Sequence, residues 1–165
     1  MKCSQFVLLL LIPLPSCELG HQQGSELSTE YLVFGRFAGE CTGEQCIEIF
    51  KIEHGALYED TLDRYPTGLH NGVYRRLSES MYTRARPLVH LLPREITKLP
   101  DGRIGAPDSH DQSGIYLELK RDAVRHYWLI DTEKGRIPAF LHAFVDSLQR
   151  TVEALSTALP FSHED

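Results

Sequence analysis

Apolar and polar positions alternate most cleanly between Gly114 and Asp131. Ile115, Leu117 and Leu119 take one side of a strand, and Tyr116, Glu118 and Lys120 the other. After Arg121-Asp122-Ala123, Val124, His126, Trp128 and Ile130 alternate with Arg125, Tyr127 and Leu129. Alternation on both sides of a short polar break predicts a hairpin, with Trp128 in the core. Tyr31–Phe37 is apolar and aromatic and ends at Ala38-Gly39, the pattern of a central strand. Cys46–Glu53 reads as a second strand, with Ile47 and Ile49 on one side and Glu48, Phe50 and Ile52 on the other. His54-Gly55 predicts a turn into a short third strand, Ala56–Asp60, completing a three-stranded antiparallel meander.

Two stretches carry a helical period instead. Ile137, Leu141, Phe144, Val145, Leu148, Val152 and Leu155 form one stripe, opposite Asp146, Gln149, Arg150 and Glu153. Pro138 suits the first position of that helix. Ser80–Leu92 spaces Met81, Ala85, Leu88, Val89 and Leu92 at helical intervals, with Ser78 or Ser80 as cap. Pro87 inside it predicts a kink or a split, because proline removes a helical hydrogen bond. Thr61–Tyr74 and Lys98–Gly114 hold the turn-forming residues and read as loops.

The order is therefore β-β-β-α-β-β-α. It predicts an α+β fold in two layers, an antiparallel sheet of about five strands with both helices on one face. The other face must be wetted or used. Exposed aromatics there, Tyr116 or Tyr127, are expected to mark a partner surface.

The N-terminal pattern differs from the rest. Lys2 is followed by an apolar run, Phe6–Leu14, too short to span a bilayer, and then by Leu14-Pro15-Ser16-Cys17. This reads as an export signal with a lipidation-type cleavage point. It is similar to the lipobox of bacterial lipoproteins, whose cysteine becomes the acylated N-terminus; Pro15 departs from the small residue common there. The expected division is a signal peptide over 1–16, a polar tether over 17–30 and a single domain over 31–160, with a frayed tail beyond. Acyl chains on Cys17 would anchor the protein, each buried CH2 contributing about 0.8 kcal/mol. The expected location is the outer membrane, on its periplasmic or cell-surface side. The alternative is cleavage near Gly20 and soluble secretion.

Charge narrows the partners. Loss of Lys2 leaves 16 basic against 23 acidic residues, a formal charge of −7. Such a chain repels phosphate backbones, so no nucleic-acid partner is expected. The sequence sets no oligomeric state.

Among the cysteines, Cys3 leaves with the signal and Cys17 is the lipidation site. Cys41 and Cys46 flank a Gly-containing turn and read as a disulfide in an oxidising compartment. C-x4-C is a poor zinc spacing, and free or redox-active thiols are the other alternative. The closed loop is short, so the bridge should contribute less than the roughly 3 kcal/mol of a 15-residue loop.

Chemistry-bearing residues concentrate before the hairpin. Asp108, His110 and Asp111, with Ser109 and Ser113, could hold a cation through oxygen ligands or do acid/base work. The same residue types also build turns by bonding their own backbone, and their order is not that of a calcium loop. No G-x-S-x-G orders a nucleophile. His70, His90, His126 and His142 are scattered over loop, helix, strand and helix. Arg75, Arg76, Arg84 and Arg86 read as a solvated basic face, with an acidic-partner site as the alternative. No cofactor and no catalytic residue is assigned.

One resemblance covers most of the mature domain. It rests on Cys41 and Cys46-Ile47-Glu48-Ile49-Phe50, Leu57-Tyr58-Glu59-Asp60, Pro107, Asp108, Asp111, Gly114, Tyr116 and Glu118. It continues through Trp128, Ile130, Asp131, Thr132, Ile137, Pro138, Leu141 and Phe144. The chain resembles a group of uncharacterised lipoproteins of Bacteroidetes-type bacteria. In that group a C-P-D-C element often stands where this chain has Ala106-Pro107-Asp108-Ser109. The absence of both cysteines here implies that the pair is a dispensable bridge, which weakens a metal or redox role for this loop. The resemblance implies no known activity. The expected function is a lipid-anchored envelope protein with a non-catalytic binding or accessory domain and an envelope protein partner. The alternative is a metal-dependent or acid/base hydrolase in which Asp108, His110 and Asp111 meet His126 in a cleft.

Overall fold

A computed structural model describes residues 29–41, 46–109 and 113–159. The predicted signal peptide, Cys17, the tether as far as residue 28, His110, Asp111 and the C-terminal tail lie outside the described residues.

The elements are β1 (Thr29–Phe37), β2 (Ile47–Glu53), β3 (Ala56–Asp60), β4 (Tyr74–Arg76), α1 (Glu79–Ala85), α2 (Pro87–Leu91), β5 (Gly102–Ile104), β6 (Gly114–Arg121), β7 (Val124–Asp131) and α3 (His142–Ser156). They form one open seven-stranded sheet in the order β4-β3-β2-β1-β6-β7-β5. The α+β class is as expected, but the expected sheet of about five antiparallel strands is corrected. β5 arises inside a stretch read as a loop and β4 starts at the last residue of another, and three residues are too few to display a period of two. β5 lies parallel to β7, Gly102 opposite Trp128, so the sheet is mixed. Both short strands sit at sheet edges, where brevity limits pairing with other chains.

β1 is central, as its apolar run predicts, with Phe34 paired to Phe50 on one side and to Leu117 on the other. The two hairpin turns each place both central residues at positive φ: His54 (49°) and Gly55 (70°), then Asp122 (50°) and Ala123 (66°). Such mirror-image turns match the right-handed twist of the strands they join.

Pro87 splits the first helical stretch, α1 ending at Ala85 and α2 starting at the proline. Ser78 Oγ caps α1 by accepting from the Met81 amide at 3.4 Å. Pro138 does not open α3. Its backbone is extended (ψ 138°), and a short 3₁₀ turn over Ala139–Leu141 leads into α3 at His142.

The helices cover one face of the sheet. Leu32, Phe34, Phe50, Leu57, Ile115, Leu117, Leu119, Trp128 and Ile130 meet Met81, Ala85, Leu88 and the whole predicted stripe of α3. Trp128 is in this core, its indole N–H donating to the Pro100 carbonyl at 3.1 Å. Cys41 and Cys46 are bridged, as their spacing predicts, with Cα atoms 5.5 Å apart. Among the described residues no helix is long and apolar enough to cross a membrane.

The second face is not bare. Val33, Phe37, Ile49, Tyr116 and Leu129 form a smaller apolar cluster there. The segment from Thr61 to Val73 folds over it, burying Pro66 and His70. Tyr65 packs edge-on against Phe37, ring centroids 5.1 Å apart. Tyr116 is therefore fully buried and Tyr127 partly so, which corrects the expectation that they are exposed partner-binding aromatics.

A candidate ligand recess above a buried carboxylate

The alternation of β6 puts Glu118 beside Tyr116 on the loop-covered face, in the strand next to the sheet's centre. Its side chain has no solvent exposure. A buried charge without partners would cost several kcal/mol, so its donors decide whether the fold tolerates it. Four converge on it. Tyr31 on β1 donates its hydroxyl to Oε1 at 2.7 Å, and Arg125 on β7 donates Nε to the same oxygen at 2.9 Å. The Tyr116 hydroxyl and the His70 amide donate to Oε2 at 2.6 and 2.8 Å. Arg125 also donates to the His70 carbonyl at 3.1 Å, so the covering loop is held through both backbone groups of one residue.

A second buried carboxylate secures the far side of that loop. Asp60, the last residue of β3, holds His70 Nε2 at 2.8 Å through one oxygen and accepts from the Val73 amide at 2.7 Å through the other. Gly72 permits this closeness: a Cβ there would stand 2.6 Å from Asp60 Oδ1 and 3.0 Å from Tyr74 Cζ. The phenols respond to the enclosure. Burial, and then the hydrogen bond and charge of Glu118, push the Tyr31 and Tyr116 hydroxyls above the ordinary tyrosine range. Tyr74 is raised by burial first and then by the charge of Asp60.

Above this network lies a recess of about 330 Å³, lined by Tyr31, Val33, Lys51, His70, Asn71, Gly72, Tyr74, Glu118 and Arg125. That volume falls in the range of small-molecule sites, roughly 300–1,000 Å³. Lys51 Nζ stands 4.5 Å from the Tyr31 ring centroid and 5.3 Å from that of Tyr74. The Tyr74 hydroxyl is buried and finds no hydrogen-bond partner among the described residues. A larger groove, about 620 Å³, runs between the β2–β3 turn and α1–α2. Two of its carboxylates, Glu30 and Glu53, are already paired with Lys120 and Lys51, and it lacks a convergent polar set.

The loop singled out by composition is built differently. Asp108 sits at positive φ (56°) and its Oδ2 accepts from the Gly39 amide at 2.9 Å and the Tyr65 hydroxyl at 2.8 Å. It thus ties its loop to the end of β1 and to the covering segment. Asp131, also buried, accepts from the amides of Ala106 and Glu133 at 2.9 and 2.8 Å and fixes the start of the same loop. His126 lies on the other face, stacked on Trp128 and bonded to Asp101 at 2.9 Å, so the two do not share partners. His110 and Asp111 are outside the described residues. Among the described residues no three His, Cys, Asp or Glu side chains gather as a metal-ligand set.

Of the four scattered histidines, only His70 enters the buried network. His142 Nε2 lies 3.0 Å from the Lys134 carbonyl, and His90 is exposed. Arg75 pairs with Glu59 at the surface, as a solvated basic face requires. No family model matches this chain, and no curated protein matches its sequence.

Proposed function

We propose that this chain is an exported, lipid-anchored binding domain of the bacterial cell envelope, held to the membrane at Cys17 and taking its ligand in the recess above Glu118. The observation that carries the binding reading is the contrast within the recess. Its two buried carboxylates are saturated by internal donors, which makes the floor rigid, while Lys51 lines the recess with N–H donors to spare and the Tyr74 hydroxyl is buried in its wall without a partner. A carboxylate already accepting four hydrogen bonds is poorly placed to take a proton from a substrate, so the arrangement suits holding rather than transforming. The address rests on the basic start, apolar run and Ser16-Cys17 order, and on the resemblance to envelope lipoproteins.

The binding reading is tested in intact cells with a photo-reactive side chain in place of Asn71, which lines the recess and is exposed. A reproducible adduct from that position, absent when the probe replaces exposed Thr83 on α1, is the expected result. Equal labelling from both positions, or none from Asn71, would falsify it. The anchor is tested by intact mass from native membranes: the chain from Cys17 plus acyl chains is expected, and an unacylated mass would end that part of the proposal.

A further inference from the structure

The spare hydrogen-bonding capacity of the charged groups in the recess is of one kind. Glu118 and Asp60 are acceptors spent inward, on Tyr31, Tyr116, Arg125 and the backbone of the covering loop. The cations are spent only in part. Arg125 uses Nε and Nη2 on Glu118 and the His70 carbonyl, and no described residue engages Nη1. Lys51 makes one ion pair, with Glu53 at 2.9 Å, and that carboxylate is partly open to solvent. That leaves two of the three ammonium N–H donors without a charged partner. The third donor is the Tyr74 hydroxyl, buried without a partner.

From this we infer that the recess binds a small ligand through a carboxylate group, seated between the Lys51 ammonium, the Tyr74 hydroxyl and the outer edge of the Arg125 guanidinium. The inference rests on the binding-domain reading and names its ligand class. A carboxylate supplies the acceptors that these donors lack. A single negative charge meets less repulsion than a dianionic phosphate would from the carboxylates of Glu118 and Asp60 just beneath and of Glu53 beside Lys51. The fork of Arg125 that would grip a phosphate in two-point fashion is already turned onto Glu118. The rings of Tyr31 and Tyr74, which flank Lys51, offer apolar surface to a short carbon chain behind the carboxylate.

The test is an NMR titration of the labelled full-length chain with acetate, propionate and butyrate, alongside inorganic phosphate, methylammonium and glycerol. Saturable shifts at Gly72, Tyr74 and the Lys51 ammonium are expected with the carboxylates. Affinity should be millimolar for probes this small, strengthen with chain length and weaken with salt. Lys51→Met should weaken butyrate at least tenfold, and Tyr74→Phe about threefold, the latter keeping the ring and hence the fold. If methylammonium, glycerol or phosphate moves these signals more strongly than any carboxylate, the ligand class is wrong while the binding reading stands. If no probe moves them at saturating concentration, both fall. Unchanged butyrate affinity in Tyr74→Phe and in Lys51→Met also overturns the seat described here; if Lys51→Met does not fold, Lys51→Gln replaces it.

Discussion

The two faces of the sheet are closed by opposite means. On one, helices bury an apolar layer in which Phe34, Leu117 and Trp128 are fully enclosed. On the other, an irregular segment closes over the strands through named hydrogen bonds to two buried carboxylates. Apolar packing is non-directional and tolerates adjustment, whereas a buried charge depends on every partner being in place. The first face therefore stores stability in many small contacts, and the second concentrates it in a few residues.

That contrast can be broken most forcefully at Glu118. Glu118→Ala takes the acceptor from the Tyr31 and Tyr116 hydroxyls and the His70 amide and the charge partner from half-buried Arg125, and should cost about 3–5 kcal/mol, read as a lower urea midpoint. The loss should come with faster proteolysis within residues 61–73, because the covering segment loses the bond from the His70 amide. Leu117→Ala, the neighbouring position facing the helices, should cost about 2–5 kcal/mol without selective opening of that segment. Equal protease sensitivity in the two variants would show that the faces are not held independently.

A smaller effect sharpens the comparison through pH. Glu48, on the helix-covered face at the end of α3, is pushed up to about 7 by burial, against the opposing pull of Arg36. Its folded state holds a proton that the unfolded chain, near 4.5, has released. Stability should therefore fall as pH rises from about 4.5 to 7, and Glu48→Gln should flatten that decline. Because the group is only partly enclosed, the gain at pH 8 should be about 1 kcal/mol. A thermal melt series at constant ionic strength measures it, and identical pH profiles for the two proteins would remove Glu48 from the account.

The smallest change concerns a turn. Ala123 at φ 66° occupies a position that glycine adopts freely, so Ala123→Gly should stabilise by about 0.5–1 kcal/mol. A decrease in melting temperature would mean that chain entropy outweighs relief at this site.

The layer of the molecule governed by period was legible from sequence. Alternation over Ile115–Ile130 assigned each side chain to its face, and the stripe from Ile137 to Leu155 is buried throughout. β4 and β5 were not legible, because each is fixed by tertiary pairing with β3 or β7 and not by its own three residues. The recess was missed for a related reason. Its lining comes from β1, β2, β4, β6, β7 and one loop, and no spacing links them. A signal was present, however: Glu118 stands between Leu117 and Leu119 in a strand adjacent to the centre, where a lone acid has to find cations. Composition drew attention to Asp108 instead, whose bonds serve to join loops.

The position of β1 has a consequence for synthesis. It is the earliest strand among the described residues, yet its β6 neighbour is separated from it by four other strands and two helices. While the chain emerges N-terminus first, β1 can pair with β2, but its other edge stays open until residues 114–121 arrive. Contacts so far apart in sequence form slowly, and an unpaired edge invites association with other chains. The sheet can therefore close at its centre only after β3, β4 and both short helices have been made.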